Sequence, residues 1–202
     1  MSCFICGSDK FDGTLDRPKR VCCVCGAMER QRFLSEVLAV RLNTGGSILE
    51  IAPLNEWVFG KWLKDNFRSE YKCVDKWKTG NPVDHRYVAF VDECVGMENL
   101  KEHFGPNRFD VVLFQHVLEE IEDYELALTN VESVLRERGL AFMEIPVTDN
   151  ATHLKKNADS FGNVWKFSRE QMLRELASVF STVEHIPVSI DNFRSDLFVV
   201  EK

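Results

Sequence analysis

What the chain lacks narrows its class first. No apolar run approaches the roughly 20 residues needed to cross a bilayer; the run inside its clearest strand pattern, Val111 to Phe114, spans four. The first ten residues, MSCFICGSDK, offer neither a basic n-region nor an apolar core. No secretory signal is read there, and a cytoplasmic location is expected. An excess of basic charge is missing too: 25 Lys and Arg face 32 Asp and Glu, a net charge of −7. Proteins that track phosphate backbones carry basic stripes, so this balance argues against a nucleic-acid partner, as the missing apolar span argues against a membrane one. The deficit is uneven. Residues 1–41 hold seven basic side chains (Lys10, Arg17, Lys19, Arg20, Arg30, Arg32, Arg41) against five acidic ones, +2 there and −9 elsewhere. Any anion-seeking face would therefore be N-terminal. A length of 202 residues suits one α/β domain with a small appendage.

Cysteine is scarce except at one end. Five of the seven fall in the first 25 residues, and four form two C-x2-C pairs, Cys3 with Cys6 and Cys22 with Cys25. Two such pairs can bring four thiolates to the corners of a tetrahedron, as a closed structural zinc site requires. Gly7 and Gly26 follow the pairs, where a knuckle commonly needs positive φ. Two disulfides are the alternative and suit an intracellular chain poorly. Cys23 is read as a bystander. A segment this short buries little core, so the metal would supply the folding energy. With four protein ligands it would stabilise rather than catalyse. The reading is a zinc ribbon over 1–28, a connecting amphipathic helix and linker over 29–46, and an α/β domain over 47–202. In the helix, Met28, Phe33, Leu34, Val37, Leu38 and Leu42 recur at helical spacing, and Asn43, Gly45 and Gly46 stop it.

From Ser47 onward, strand-like runs alternate with helical patterns, which predicts βαβ units around a parallel sheet. Strands are expected at 48–52, 71–75, near 87–91, at 109–115 and at 139–147. Helices are expected at 55–67, with Trp57, Val58, Trp62 and Leu63 inward, at 97–104 and at 123–138, with Leu126, Val131, Val134 and Leu135 on one face. A further helix starts at the N-cap Ser168 and runs to Val179. Strands at 182–188 and 193–200 are too close for a crossover and must be antiparallel. Ligands bind such sheets beyond the carboxyl ends of the strands, near the first one. The candidates there are Glu50 with Ala52 to Glu56, Asp75 with Lys76 and Trp77, Asp92 with Glu93 and Cys94, and Gln115 with His116.

The segments CCVCGAMERQRFL (22–34), RFDVVLFQHVLEEI (108–121) and SVLRERGLAFMEIP (133–146) carry a resemblance to the class I S-adenosylmethionine-dependent methyltransferases, most closely those with an N-terminal zinc ribbon. The likeness spans nearly the whole chain. It implies a Rossmann-like seven-stranded sheet, parallel with an antiparallel C-terminal hairpin, and S-adenosylmethionine as cofactor. In that frame Glu50 faces the cation-bearing methionine moiety, Asp75 accepts from the ribose hydroxyls, and Asp92, with the Glu93 and Cys94 amides, contacts adenine. Ala52, Pro53, Lys76 and Gln115 complete the cofactor set. The family's acidic-x-G-x-G-x-G loop is replaced by Glu50-Ile51-Ala52-Pro53-Leu54-Asn55-Glu56, without a glycine. Pro53 lacks an amide donor and Cβ atoms narrow the approach.

His116 resembles the methyl-facing position and is the proton acceptor expected for a hydroxyl substrate, its ordinary pKa being near neutrality. Residues 148–167 show no periodicity and follow the fifth strand. There His153, Lys155, Lys156, Phe161, Trp165 and Phe167 are expected to enclose a substrate. The expected reaction is methyl transfer to an O or N atom of a small molecule or sugar. Two alternatives stand beside it, a cofactor-binding module without turnover and an RNA methyltransferase.

Overall fold

A computed structural model of the protein describes residues 2–43, 45–53, 56–68, 70–76, 91–150, 152–155, 162–190 and 192–202. Two short strands, β1 (Phe11–Asp12) and β2 (Val21–Cys22), pair antiparallel in the cysteine segment and lead into helix α1 (Glu29–Arg41). The main sheet then forms from β3 (Ser47–Ile51), β4 (Glu70–Asp75), β5 (Glu93–Cys94), β6 (Phe109–Gln115), β7 (Leu135–Glu144), β11 (Thr182–Ile190) and β12 (Phe193–Glu201). Its order is β11-β12-β7-β6-β3-β4-β5. Five neighbouring strands are parallel, β12 runs antiparallel to β7, and β11 runs antiparallel to β12. This is the seven-stranded arrangement with a closing hairpin expected from the sequence. The strand expected near 87–91 falls largely outside the described residues. The third parallel strand that is described is β5, joined to β4 through Val74↔Glu93 and Asp75↔Cys94.

Both faces of the sheet are apolar because successive side chains alternate between two cores. Val112 and Phe114 of β6, with Ala141 and Met143 of β7, pack towards α3 (Leu100–Phe104), α4 (Tyr124–Val134) and α5 (Arg169–Val179). Val111, Leu113 and Phe142 pack the opposite way, against Leu34 and Leu38 of α1 and Trp62 and Leu63 of α2 (Lys61–Phe67). Each fully buried side chain of this size is worth about 1.5–3 kcal/mol. The covered sheet thus forms a rigid floor for whatever its strand ends hold. A π-turn over Glu56–Gly60 precedes α2. The side chains of Glu56 and Trp57, like residues Leu54, Asn55 and Trp77, lie outside the described set.

Several boundaries depart from expectation. α4 ends at Val134 rather than Arg138, and β7 starts at Leu135, whose extended backbone (φ −67°, ψ 140°) pairs with Phe109. The sequence LRER is good helix material, but burial of Leu135 against the sheet outweighs a propensity of a few tenths of a kcal/mol. The chain then bulges opposite Asp110, with Arg138 left-handed at φ 64°. Leu126, expected inward, is 44% exposed, and the buried face of α4 is formed instead by Ala127, Leu128, Val131 and Val134. The stretch 148–167 is not wholly aperiodic. Its described parts build a small sheet from β8 (Val147–Thr148), β9 (Leu154–Lys155) and β10 (Trp165–Ser168), in the order β8-β10-β9. Ser168 caps α5 as expected, accepting from the Gln171 amide at 3.3 Å.

Candidate functional site

The four paired cysteines converge. Their sulfurs lie within 4.8 Å of one another, with Cys3 and Cys25 at 3.7 Å and Cys6 and Cys22 at 3.5 Å. A tetrahedral ion with metal–sulfur bonds of about 2.3 Å needs sulfurs about 3.8 Å apart, so this donor set is compatible with zinc. The local backbone supports it: Gly7 and Gly26 both take φ 76°, and their amides reach back to the Cys3 and Cys22 carbonyls at 2.7 and 2.8 Å. Cys23 is exposed and outside the cluster.

This module is packed on the body of the protein. Phe4 meets Trp62 edge-on at 6.1 Å, and Arg17 lies 4.8 Å over the Phe193 ring while pairing with buried Glu29. Arg32 donates to the Ala27 and Lys19 carbonyls, and Arg41 pairs with Glu184. Three of the seven N-terminal basic side chains are thus held by internal partners.

At the carboxyl ends of the strands, the expected cofactor residues divide. Glu50, 4% exposed, closes β3 and accepts from the Tyr71 hydroxyl at 2.5 Å. Burial, then the Glu50 charge, pushes the Tyr71 phenol well above its ordinary value, so it stays a neutral donor that fixes the carboxylate. Gly60 lets that ring approach: a Cβ there would sit 2.7 Å from Tyr71. Asp75 ends β4, half-buried, next to Lys76 and one strand from Glu50. Ala52 stands where the family loop carries its first glycine and holds φ 50°, with its amide on the Val74 carbonyl at 2.7 Å. The left-handed turn survives without the glycine. Pro53 is buried beside it.

Two acidic residues of the expected set are turned elsewhere. The Asp92 carboxylate accepts from the Cys73 amide at 2.8 Å and so continues the sheet edge. Glu93 pairs with Lys72 and His103.

His116, the expected methyl-facing residue, follows β6 in a left-handed conformation at φ 57°. Its Nδ1 lies 3.2 Å from Glu119 and its Nε2 3.3 Å from Glu144, two carboxylates that are 3% and 2% exposed. Gln115 donates to the other Glu144 oxygen at 2.6 Å. Burial works against a charged ring, yet the bonds and charges of Glu119 and Glu144 overcome it and raise His116 to about 9. Burial likewise pushes Glu144 up, but His116 and the nearby Arg30 guanidinium bring it below its ordinary value. Both ring nitrogens already face carboxylates, so the imidazolium offsets one of their two charges and is poorly set to take a further proton.

Of the expected enclosing residues, His153 is a structural pin. Its side chain is 3% exposed, Nδ1 accepts from the Ser168 amide at 2.9 Å, and Nε2 meets Glu175 at 3.0 Å. Trp165 donates to the Ile121 carbonyl at 3.0 Å, stacks on Phe167 and carries Lys155 5.5 Å over its ring. Lys155 also pairs with Glu122. Lys156 and Phe161 lie outside the described residues. Sequence reasoning missed Arg30, Tyr71, Glu119 and Glu144. The signal for Glu144 was a lone carboxylate inside the apolar run LAFMEI, and Arg30 and Glu119 sit within two segments that carry the family likeness.

The sheet order, the closing hairpin and the acidic strand ends define a class I methyltransferase fold. Residues 59–143 match the family model described as a methyltransferase domain. Among solved structures it is similar to the Burkholderia thailandensis 1,6-didemethyltoxoflavin-N1-methyltransferase, described with S-adenosylhomocysteine bound. That likeness has 16% identity and a TM-score of 0.66 over 86% of this chain and 78% of that one. It is similar as well to the cyclase SpnF, at 14% identity and a TM-score of 0.64 over 95% and 85%. Among curated sequences, transcription initiation factor IIB of Pyrobaculum aerophilum is 28% identical over 123 residues, 51% of this chain. The chain spans only 37% of that relative's length. No helix among the described residues is long and apolar enough to cross a membrane.

Proposed function

We propose that the protein is an S-adenosylmethionine-dependent methyltransferase that methylates an O or N atom of a small molecule or sugar, with a zinc ion held by Cys3, Cys6, Cys22 and Cys25 as structural support. The observation that carries this reading is the acidic crown, with Glu50 held by Tyr71 at the end of β3 and Asp75 at the end of the adjacent β4. When bound, S-adenosylmethionine supplies its methyl group as an electrophilic carbon on a sulfonium. Glu50 faces its methionine end, Asp75 accepts from its ribose hydroxyls, and the Ala52–Pro53 turn shapes the floor beneath it. Gln115 and Lys76 flank that space, and Lys155 and Trp165 close the acceptor side. His116 holds a proton between Glu119 and Glu144 and fixes their positions. Alignment of the reactants supplies most of the acceleration in such a reaction, so a rigid strand-end site is sufficient machinery.

The test is transfer of isotope-labelled methyl from S-adenosylmethionine to a panel of small hydroxyl and amine acceptors, read by mass spectrometry. A labelled product that disappears in Asp75→Ala supports the reading. Tight cofactor binding with no product across the panel favours the second reading, a module without methyl transfer. The glycine-free loop and the similarity of SpnF, a cyclase on the same fold, motivate that alternative. The similarity to a transcription factor motivates a nucleic-acid reading, which demands affinity that falls steeply with salt. The net charge of −7 and the internal contacts of Arg17, Arg32 and Arg41 weigh against it.

A further inference from the structure

The two residues between Cys3 and Cys6 are both apolar, and both lie against the core around α2. Phe4 meets Trp62 edge-on at 6.1 Å although 46% of it is exposed, and Ile5 packs on the cluster that contains Trp62, Leu63 and Phe67. The loop that carries them is closed on itself: the Cys3 amide donates to the Ser8 carbonyl and the Gly7 amide to the Cys3 carbonyl, each at 2.7 Å. Each of the two apolar residues stands within two positions of both thiols. A metal held by those thiols therefore fixes where Phe4 and Ile5 press on α2.

Trp62 joins the parts of that segment. Its ring stacks on Phe59 at 6.0 Å and meets Phe67 edge-on at 5.5 Å, which ties the π-turn over Glu56–Gly60 to the far end of the helix. The same turn and helix confine Tyr71. A Cβ on Gly60 would sit 2.7 Å from the tyrosine ring, and Lys64 Nζ lies 4.9 Å over its centroid. The Tyr71 hydroxyl donates to Glu50 at 2.5 Å, at the end of β3. Side chains thus touch in sequence from the first cysteine pair to the carboxylate of the cofactor site. Interiors packed at crystal-like density pass on small displacements along such a chain.

Resting on the methyltransferase reading, we propose that Phe4 is a positioning residue for the cofactor: held by the metal-bound knuckle, it seats α2 through Trp62, and α2 seats the Tyr71 hydroxyl that orients Glu50. Occupancy of the cysteine site then sets cofactor affinity, although none of the four thiols belongs to the cofactor set.

The experiment uses the full zinc-loaded chain and two readouts. Tyrosine labelled with carbon-13 at Cζ reports the Tyr71 hydroxyl by NMR; the chain has three tyrosines, and Tyr71→Phe identifies the resonance by removing it. Calorimetric titration gives the S-adenosylhomocysteine Kd. Phe4 is nearly half exposed, so Phe4→Ala should fold, as zinc content and melting temperature will show. In that variant the Tyr71 resonance should move and the Kd should rise about fivefold. Phe4→Leu, which keeps an apolar side chain against Trp62, should stay near the wild type. Removal of zinc, below the melting temperature of the metal-free protein, should move the same resonance in the wild type. Tyr71→Phe should weaken binding by itself, and adding Phe4→Ala to it should weaken binding no further, because the contact through which Phe4 acts is already gone. An unmoved Tyr71 resonance in Phe4→Ala, an unchanged Kd, or effects of Phe4→Ala and Tyr71→Phe that simply add would overturn the proposal. A folded wild type that binds no S-adenosylhomocysteine overturns the methyltransferase reading instead, and the Tyr71 resonance then still decides whether Phe4 reaches that hydroxyl.

Discussion

At residue scale, Ala52 shows how a missing glycine is absorbed. Its φ of 50° costs an L-residue about 1–2 kcal/mol, whereas glycine gives back part of any gain through greater freedom in the unfolded chain. Ala52→Gly should therefore stabilise the protein by about 0.5–1 kcal/mol, a rise of a few degrees in melting temperature. An unchanged or lower value would show that the turn is unstrained.

His116 supplies a second residue-scale prediction. A basic group whose pKa is raised on folding contributes stability that is complete below its unfolded value, near 6.5, and is lost as pH rises through its folded value, about 9. Melting temperatures of the wild type and His116→Gln, followed from pH 6 to 10, should be furthest apart at the acid end and converge through pH 9. A gap that widens with pH would contradict the imidazolium assignment. The sequence expectation of a proton-accepting histidine rested on an ordinary pKa; Glu119 lies only three residues on, but no local pattern announces that Glu144, 28 residues on, will meet the other ring nitrogen.

At the scale of elements, the cysteine module is tied to the body through Phe4 on Trp62, Arg17 on Phe193 and the buried Glu29 and Arg32 at the start of α1. Chelation of zinc with a strong thiol-competing chelator should lower the melting temperature of the whole protein, as a single shifted transition in calorimetry. A separate early transition with an unmoved main peak would mean the module is independent. The sequence was legible wherever burial and period agree: β6 was readable to the residue because FDVVLFQ is apolar on both faces, and the α5 cap because serine precedes an amphipathic run. It was misleading at 135–138, where helix propensity and tertiary pairing conflict, and at Leu126, where helical spacing alone did not define the buried face. The cysteine cluster was legible from spacing. The contact of His116 with Glu144 was not, because it depends on β6 and β7 lying side by side in space.

At the scale of the molecule, the cofactor contacts proposed here fall on two adjacent strand ends, those of β3 and β4. The net charge is −7, and two of the N-terminal arginines, Arg17 and Arg41, are paired with glutamates. The account depends above all on the cofactor sitting at the end of β3 and β4, and calorimetric titration of S-adenosylhomocysteine into the wild type and Asp75→Ala tests this most directly. The account predicts one site per chain, with binding weakened by about 1–3 kcal/mol in the variant, roughly 5- to 150-fold in Kd, in a variant that remains folded. Absence of binding to the folded wild type, or equal affinity in both proteins, would contradict it.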